Sequence, residues 1–451
     1  MLRELGVEQL RLIAAARGYL RAQGERGVDV AEHPECYLTG WSNVPGNARL
    51  LALARQPGAA SLVAGRRVKD ALNVMRHADW VVAGEGPIAA GIDQLVLSWC
   101  RAGDFAADGE YRDRYFRTSS RATPRTLWFS LATDESGSLV MDPNVRVLRR
   151  RPGARRFSPA FLARSMACAV VRRRARHLPR LSAVVTHAQR VVAEVRRLLA
   201  AGKFREVLTP YEAQPYQHAV YRAVKEFDPA VRTVGYLHSA LPPVPADLAF
   251  REGAPDLLYV HGQGQIDILV RHLGWPADRL RAIPALRYRR EDDASLAGFI
   301  FLPMDFSAPE TILGEFRAFL EGAAPGSLSP LTVRNHPVMR ESGKHLKLVS
   351  ALDAILAAHV DRFSGEGGEP MSVFIGATAA IIEALERGVS VIHICSRPLV
   401  EAHTRDLWSH FEVERFGEHL FRYRMRERGA YISFGEETDM FDKYLRQGGV
   451  R

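Results

Sequence analysis

Glu206-Val-Leu-Thr-Pro-Tyr-Glu-Ala-Gln-Pro-Tyr-Gln-His-Ala-Val-Tyr-Arg-Ala-Val-Lys-Glu226 runs from a short apolar segment through a polar, aromatic turn into a helical pattern. Residues 206–209 predict a strand and 217–226 a helix. The alternation continues with strands at 233–237 and 257–260, a helix at 265–273 and a strand at 280–283. Strands that alternate with helices in this way imply a parallel sheet covered on both faces. Towards the carboxyl end, the polar, aperiodic stretch beginning Arg289-Arg-Glu-Asp-Asp-Ala-Ser marks a linker over 289–296. A second series follows, with strands at 298–302, 331–334, 372–375 and 389–394. Helices are expected at 310–320, in the run ending near Gly388, and at 436–445. Towards the amino end, the first 25 or so residues read as a helix. Near 78–100 a short strand and a glycine turn lead into an apolar helical run. The spacing of Gly84, Gly86 and Gly91 is off the dinucleotide pattern and fits a tight turn better. Another strand is expected at 126–131. The expected fold is α/β, with two doubly wound, Rossmann-like domains facing across a cleft. They span 1–288, with a helical amino terminus and an Arg-rich segment at 143–193, and 297–451.

The chain has 451 residues, of which 47% are hydrophobic and 25% charged, so wholesale disorder is excluded. No apolar run approaches the roughly 18 residues of a membrane span. Residues 1–13 carry scattered charges and do not read as a secretory signal. Cys36, Cys100, Cys168 and Cys395 lie far apart without metal-ligand spacing, which fits a reducing cytoplasm. The net charge of +10 is local. Residues 143–193 hold thirteen arginines and no carboxylate, so the rest of the chain sums to three negative charges. This segment reads as largely helical. Arg172, Arg173 and Arg174 are its densest run, suited to an anionic membrane surface or a phosphorylated glycolipid. A solvated basic face is the plainer alternative.

Three places carry chemistry. Gly376-Ala-Thr378-Ala-Ala-Ile-Ile-Glu383 follows an apolar strand, and a helix start with small residues and a hydroxyl can take a phosphate. Glu383 lies more than a turn in and suits a ribose hydroxyl or a local cap. Arg334-Asn-His336-Pro337 puts a guanidinium and an imidazole at a strand end. Glu212, in its turn between Tyr211 and Tyr216, suits a partly desolvated base beside a sugar face, or else a helix cap. His238 and Ser239 end the next strand, as a functional pair or a strand-end hydrogen-bond pair. No Asp-x-Asp stands at a strand end, which disfavours a metal-dependent donor site.

The order of Tyr-Glu-x-Gln-Pro-Tyr, Gly-Tyr-x-His-Ser and Pro-Asp256-Leu-Leu-Tyr-Val-x-Gly262 resembles bacterial surface-carbohydrate biosynthesis proteins of GT-B type. The later Arg-x-His-Pro and Gly-Ala-Thr-Ala-Ala-Ile-Ile-Glu are similar to motifs of sialyl- and Kdo-type transferases. The resemblance covers about residues 205–395. It implies a glycosyltransferase using a CMP-activated 2-keto sugar acid, such as Kdo or a nonulosonic acid, in capsule or lipopolysaccharide synthesis. By the same resemblance His336, Pro337 and Thr378 hold the nucleotide phosphate, and Glu212 is base or nucleophile. Gly376-Ala377 stands where paired hydroxyls are often found, a departure that leaves the donor sugar open.

Transfer from a nucleotide sugar then requires a stabilised leaving phosphate (Arg334, His336, the helix start) and a deprotonated acceptor hydroxyl (Glu212, with His238 beside it). No metal and no cofactor beyond the donor is expected. The expected location is cytoplasmic, peripheral on the inner membrane face. Two alternatives stand: a nucleotide-sugar epimerase of the same architecture, and a nucleic-acid-binding protein acting through the arginines. The basic segment has few aromatics for base stacking, so no nucleic-acid partner is expected.

Overall fold

The computed structural model describes residues 2–25, 80–134, 139–150, 183–289, 296–336, 339–363, 370–435, 441 and 443. The chain is α/β. Its first part contains helix α1 (Leu2–Glu25), strands β1 (Trp80–Ala83) and β2 (Gln94–Cys100), the small hairpin β3 (Arg112–Asp113) and β4 (Thr118–Ser119), then β5 (Thr126–Ala132) and β6 (Val145–Arg150). Helix α2 (Ala183–Ala201), β7 (Glu206–Pro210), α3 (Pro215–Phe227), β8 (Arg232–Tyr236), β9 (Leu257–Val260), α4 (Gln263–Leu273), β10 (Leu280–Ala282) and β11 (Ala285–Arg289) follow. The later part contains β12 (Phe299–Phe301), α5 (Pro309–Gly322), β13 (Thr332–Arg334), α6 (Gly343–Ala358), β14 (Met371–Ile375), α7 (Ala380–Glu386), β15 (Ser390–Ile394), α8 (Pro398–Glu401), β16 (Phe411–Arg415), β17 (Leu420–Met425) and β18 (Phe434–Gly435).

Two large sheets result. The eight-stranded sheet has the order β1-β6-β5-β2-β7-β8-β9-β10, parallel except where β1 pairs antiparallel with β6. From β2 the chain winds one way through β5 and β6, then the other way from β7 through β10. The winding therefore reverses between β2 and β7, and a crevice opens there beyond the strands' carboxyl ends. The six-stranded sheet, β13-β12-β14-β15-β17-β16, has a parallel part that reverses between β12 and β14. Its β16–β17 hairpin is antiparallel.

Most strand expectations coincide with observed strands, and two segments differ in kind. Residues 94–100, expected to be helical, form β2, whose register pairs it with β5 on one side and β7 on the other. A fully buried central strand is apolar throughout, and periodicity alone does not separate such a run from a helix. Within the Arg-rich segment, expected to be largely helical, Val145–Arg150 is a strand and Ala183–Ala201 a helix. Residues 151–182, with Arg172, Arg173 and Arg174, lie outside the described residues, as do linker residues 290–295. Of the expected helix at 436–445, only Phe441 and Lys443 are described. No helix among the described residues is long and apolar enough to cross a membrane.

One apolar core runs between the sheets. It joins Leu12, Ile13 and Leu20 of α1 to Leu237, Leu241 and Leu269 on one side, and to Phe374, Ile381, Trp408 and Tyr423 on the other. Polar contacts tie the same seam. The Trp408 indole N–H donates to Pro243 O at 3.0 Å, and the Arg387 guanidinium donates to Arg289 O at 3.0 Å. Gly264 N–H donates to Ala430 O at 2.7 Å, an approach only glycine permits, since a Cβ there would meet the Tyr431 ring at 2.7 Å.

Candidate active site

The turn after β7 is built by its own backbone and one glutamine. Ala213 adopts φ +53° while fully buried, a left-handed conformation that alanine takes only when its surroundings enforce it. The enforcing group is Gln217, itself fully buried. Its carbonyl accepts from the backbone N–H of Glu212 at 3.0 Å and of Gln214 at 2.9 Å, while its amide donates to Pro210 O at 2.6 Å. Arg251 adds a bond to Ala213 O at 3.2 Å. Helix α3 begins at once, with Gln214 as its cap residue and Pro215 in the first turn.

This turn directs the Glu212 carboxylate towards the end of β8. His238 Nε2 donates to Glu212 Oε1 at 3.2 Å, and Gln214 Nε2 donates to Oε2 at 2.6 Å. Glu212 is thus no helix cap: both oxygens face side chains. His238 pairs with Glu212, whereas the strand-end alternative would have paired it with Ser239. Because a carboxylate only accepts, Nε2 of His238 carries the proton. The imidazole side chain is 4% exposed and the carboxylate 21%, so Glu212 meets the crevice and His238 supports it from behind. Tyr115 and Trp99 stand edge-on to the imidazole at 4.7 and 6.0 Å between centroids, and 5.2 Å from each other. Both rings are partly exposed.

Burial pushes the Glu212 carboxyl towards neutrality, but the His238 bond and charge, the Gln214 bond and the positive Arg287 outweigh it. The net shift is downward. Glu212 is ionised at neutral pH, and the upward-tuned base expected from desolvation alone is not what the surroundings make. Tyr115 is pushed up to about 12, by burial first and then by Glu212. Its turn is fixed from beneath by Asp113. That carboxylate accepts from Tyr111 OH at 2.7 Å, from the backbone N–H of Tyr115 and Phe116 at 2.8 Å each, and from Ser98 Oγ. Trp99 leaves the sheet at the end of β2 and Glu212 after β7, so the cluster occupies the crevice where the winding reverses.

The second sheet carries the other expected residues at strand ends, Gly376 and Thr378 after β14 at its reversal and Arg334 and His336 at the end of the edge strand β13. Gly376 (φ +66°) ends β14 against Pro303, which follows β12: a Cβ on Gly376 would lie 3.3 Å from the Pro303 ring. His393 Nε2 donates to Gly376 O at 2.8 Å. Thr378 precedes α7, its Oγ1 a long 3.4 Å from Ala380 N, and the Ile381 and Ile382 N–H groups already bond within the turn. Arg334 is exposed and stacks over Phe299 and Phe301 at 5.6 and 5.5 Å. His336 is half-buried, its pKa lowered by burial and then by His345. Pro337 lies outside the described residues. Glu383 pairs with Arg387 at 3.3 Å. Glu212 and His238 are therefore in contact with each other, on the first sheet, while Arg334, His336, Gly376 and Thr378 belong to the second.

One expectation changes. Tyr211 and Tyr216, expected to offer a sugar face, are 1% and 4% exposed and belong to the core. Asp256, of the Pro-Asp256-Leu-Leu-Tyr motif, sits at the amino end of β9 and accepts from Thr233 N–H at 2.9 Å and Lys225 Nζ at 2.5 Å, at the opposite edge of the sheet. Trp99, Tyr115, Gln217 and Arg287 were not singled out from the sequence. Only Gln217 left a signal, standing three residues after the cap residue where a reciprocal cap partner belongs. Among the described residues, no group of three or more His, Cys, Asp or Glu is placed to hold a metal ion. No family model matches the chain, and no curated protein matches it.

Proposed function

We propose that the protein is a glycosyltransferase of GT-B type, with two Rossmann-like domains and the reaction between them. Its donor is a nucleotide sugar, a CMP-activated 2-keto sugar acid by resemblance, and its acceptor a surface glycan or glycolipid. The observation that carries this reading is the ionised Glu212, held by His238 and walled by Trp99 and Tyr115 in the crevice where the strand order reverses. In the reaction, the acceptor hydroxyl gives its proton to Glu212. The hydroxyl oxygen bonds to the anomeric carbon, whose bond to the phosphate oxygen breaks, and the nucleoside monophosphate leaves. Arg334 supplies fixed positive charge for that phosphate, and neutral His336 a hydrogen bond. His238 is a positioning residue that holds the carboxylate and shares its charge. Arg172, Arg173 and Arg174 serve peripheral attachment to anionic lipid.

Two measurements test this. Thermal shift with CMP, UDP, GDP and NAD should single out one nucleotide, since a ligand bound to the native state raises the melting temperature. Release of that nucleotide from the matching donor, CMP for a CMP-sugar, should then depend on acceptor and be lost in His336→Ala. Wild-type release in that variant, or no stabilisation by any nucleotide, overturns the reading. Vesicles containing anionic lipid should bind the protein at low salt, and Arg172, Arg173 and Arg174 replaced by Gln should weaken that binding.

A further inference from the structure

Arg287 is the outward residue of β11, between buried Leu286 and Tyr288. The strand that carries it is pinned from below. Leu286 N–H donates to Tyr236 OH at 2.9 Å, Tyr236 OH lies 3.0 Å from His261 Nε2, and the Tyr288 ring stands edge-on to His261 at 5.7 Å. Its guanidinium rests 5.7 Å from the Tyr288 ring centroid. Arg287 has no ion-pair partner among the described residues, although its charge acts on both Glu212 and Tyr115. Neighbouring Arg114, by contrast, is neutralised by Asp104 at 2.5 Å. Arg287 thus stands exposed on a strand tied to the end of β8, two residues before His238, and forms no ion pair among the described residues, so its planar fork is open to an anion.

We infer that Trp99, Tyr115 and Arg287 form an acceptor subsite for a sugar that itself bears a negative group, a carboxylate or a phosphate. The two aromatic rings take the apolar face of the sugar ring, Arg287 binds the anion in its planar fork, and a neighbouring hydroxyl comes to Glu212. Arg287 also offsets the repulsion that ionised Glu212 would exert on such a substrate. This inference rests on the transferase reading for its use, but its binding content is testable without turnover.

The experiment is isothermal titration of the full chain with galactose, galacturonic acid, galactose 6-phosphate and inorganic phosphate. The uronic acid or the sugar phosphate should bind at least tenfold more tightly than galactose, and whichever does so identifies the anion. Arg287→Gln, a substitution at an exposed position, should collapse that gap, while Tyr115→Ala should weaken galactose and its anionic forms by a similar factor. Equal affinity for neutral and charged sugars, no binding of any sugar, a gap that survives Arg287→Gln, or inorganic phosphate binding as tightly as the sugar phosphate each overturns the subsite. A chain that transfers sugar to neutral acceptors without charge preference keeps the transferase reading and loses this one. A chain that selects anionic sugars yet releases no nucleotide does the reverse.

Discussion

Glu212 is pulled two ways, and the balance decides what it can do. Burial favours the neutral acid, while His238, Gln214 and Arg287 favour the carboxylate and prevail. A depressed folded pKa means that this group's stabilisation is fully present above the ordinary carboxylate value of about 4.3 and is lost as pH falls through the lower folded value. Between pH 8 and 5.5, the rate per folded molecule should therefore stay flat. An acid limb within that range would remove Glu212 from the base role. Glu212→Gln keeps size and reach but loses the charge, so turnover should fall about a hundredfold or more while nucleotide binding is unchanged. Gln217 is a sharper test of geometry, since its side chain hydrogen-bonds the backbone of the turn on both sides of Glu212. Gln217→Ala leaves two backbone N–H groups and one carbonyl buried without partners, at about 1–3 kcal/mol each. It also frees Ala213 from its left-handed conformation. Turnover should fall with the donor KM unchanged, and urea unfolding should show the lost stability.

At the scale of elements, α1 illustrates how a helix end can be legible while its destination is not. Its apolar spacing is plain in the sequence, but nothing local says that Gln9 reaches the α8 region. There Gln9 is fully buried, donates to Leu399 O at 3.2 Å and Ala402 O at 2.7 Å, and accepts from Thr404 Oγ1 at 2.6 Å. Gln9→Ala strands those partners inside the seam and should cost about 2–4 kcal/mol, read as a lower denaturation midpoint. The same divide between local and distant information runs through the candidate site. Glu212 and His238 stood out because each ends a strand of a regular alternation, and strand ends are where an α/β sheet keeps its chemistry. Trp99 did not, because an unbroken apolar run has no period to distinguish a doubly buried strand from a helix. Tyr211 and Tyr216 looked like a sugar face because they flank Glu212 in sequence. The left-handed turn at Ala213 and the start of α3 carry both rings into the core instead. Tyr115 and Arg287 come from β3–β4 and β11, and only tertiary packing brings them beside Glu212.

For the whole molecule, the consequence of burying so many imidazoles is acid sensitivity. His218, His261, His393 and His403 are each at most 3% exposed and spread over both halves of the chain, on α3, after β9, in β15 and after α8. Burial is the first cause of depression in all four. It takes His261 to about 3 and His393 to about 4, and His218 and His403 well below the ordinary value, with Arg251 and His393 respectively adding to the effect. Each is neutral in the fold and takes a proton near pH 6.5 only when the chain unfolds. The unfolded state therefore binds more protons as pH falls, and stability is full above about pH 7 and declines below 6.5. By pH 5.5 each such histidine has withdrawn about 1.4 kcal/mol, a large part of a typical total of about 5–15 kcal/mol when four act together. Glu212 titrates lower and does not offset this. Melting temperature should drop clearly between pH 7.5 and 5.5 at constant ionic strength. His403 provides the control, because it sits among Trp408, Phe411, Tyr423 and His393 with neither ring nitrogen hydrogen-bonded. His403→Leu removes a titrating group without orphaning a partner. Whatever it does to packing at pH 7.5, it should make the loss of stability between pH 7.5 and 5.5 smaller by about 1.4 kcal/mol. An unchanged pH dependence in that variant would mean that His403 is already protonated, or solvated, in the folded protein.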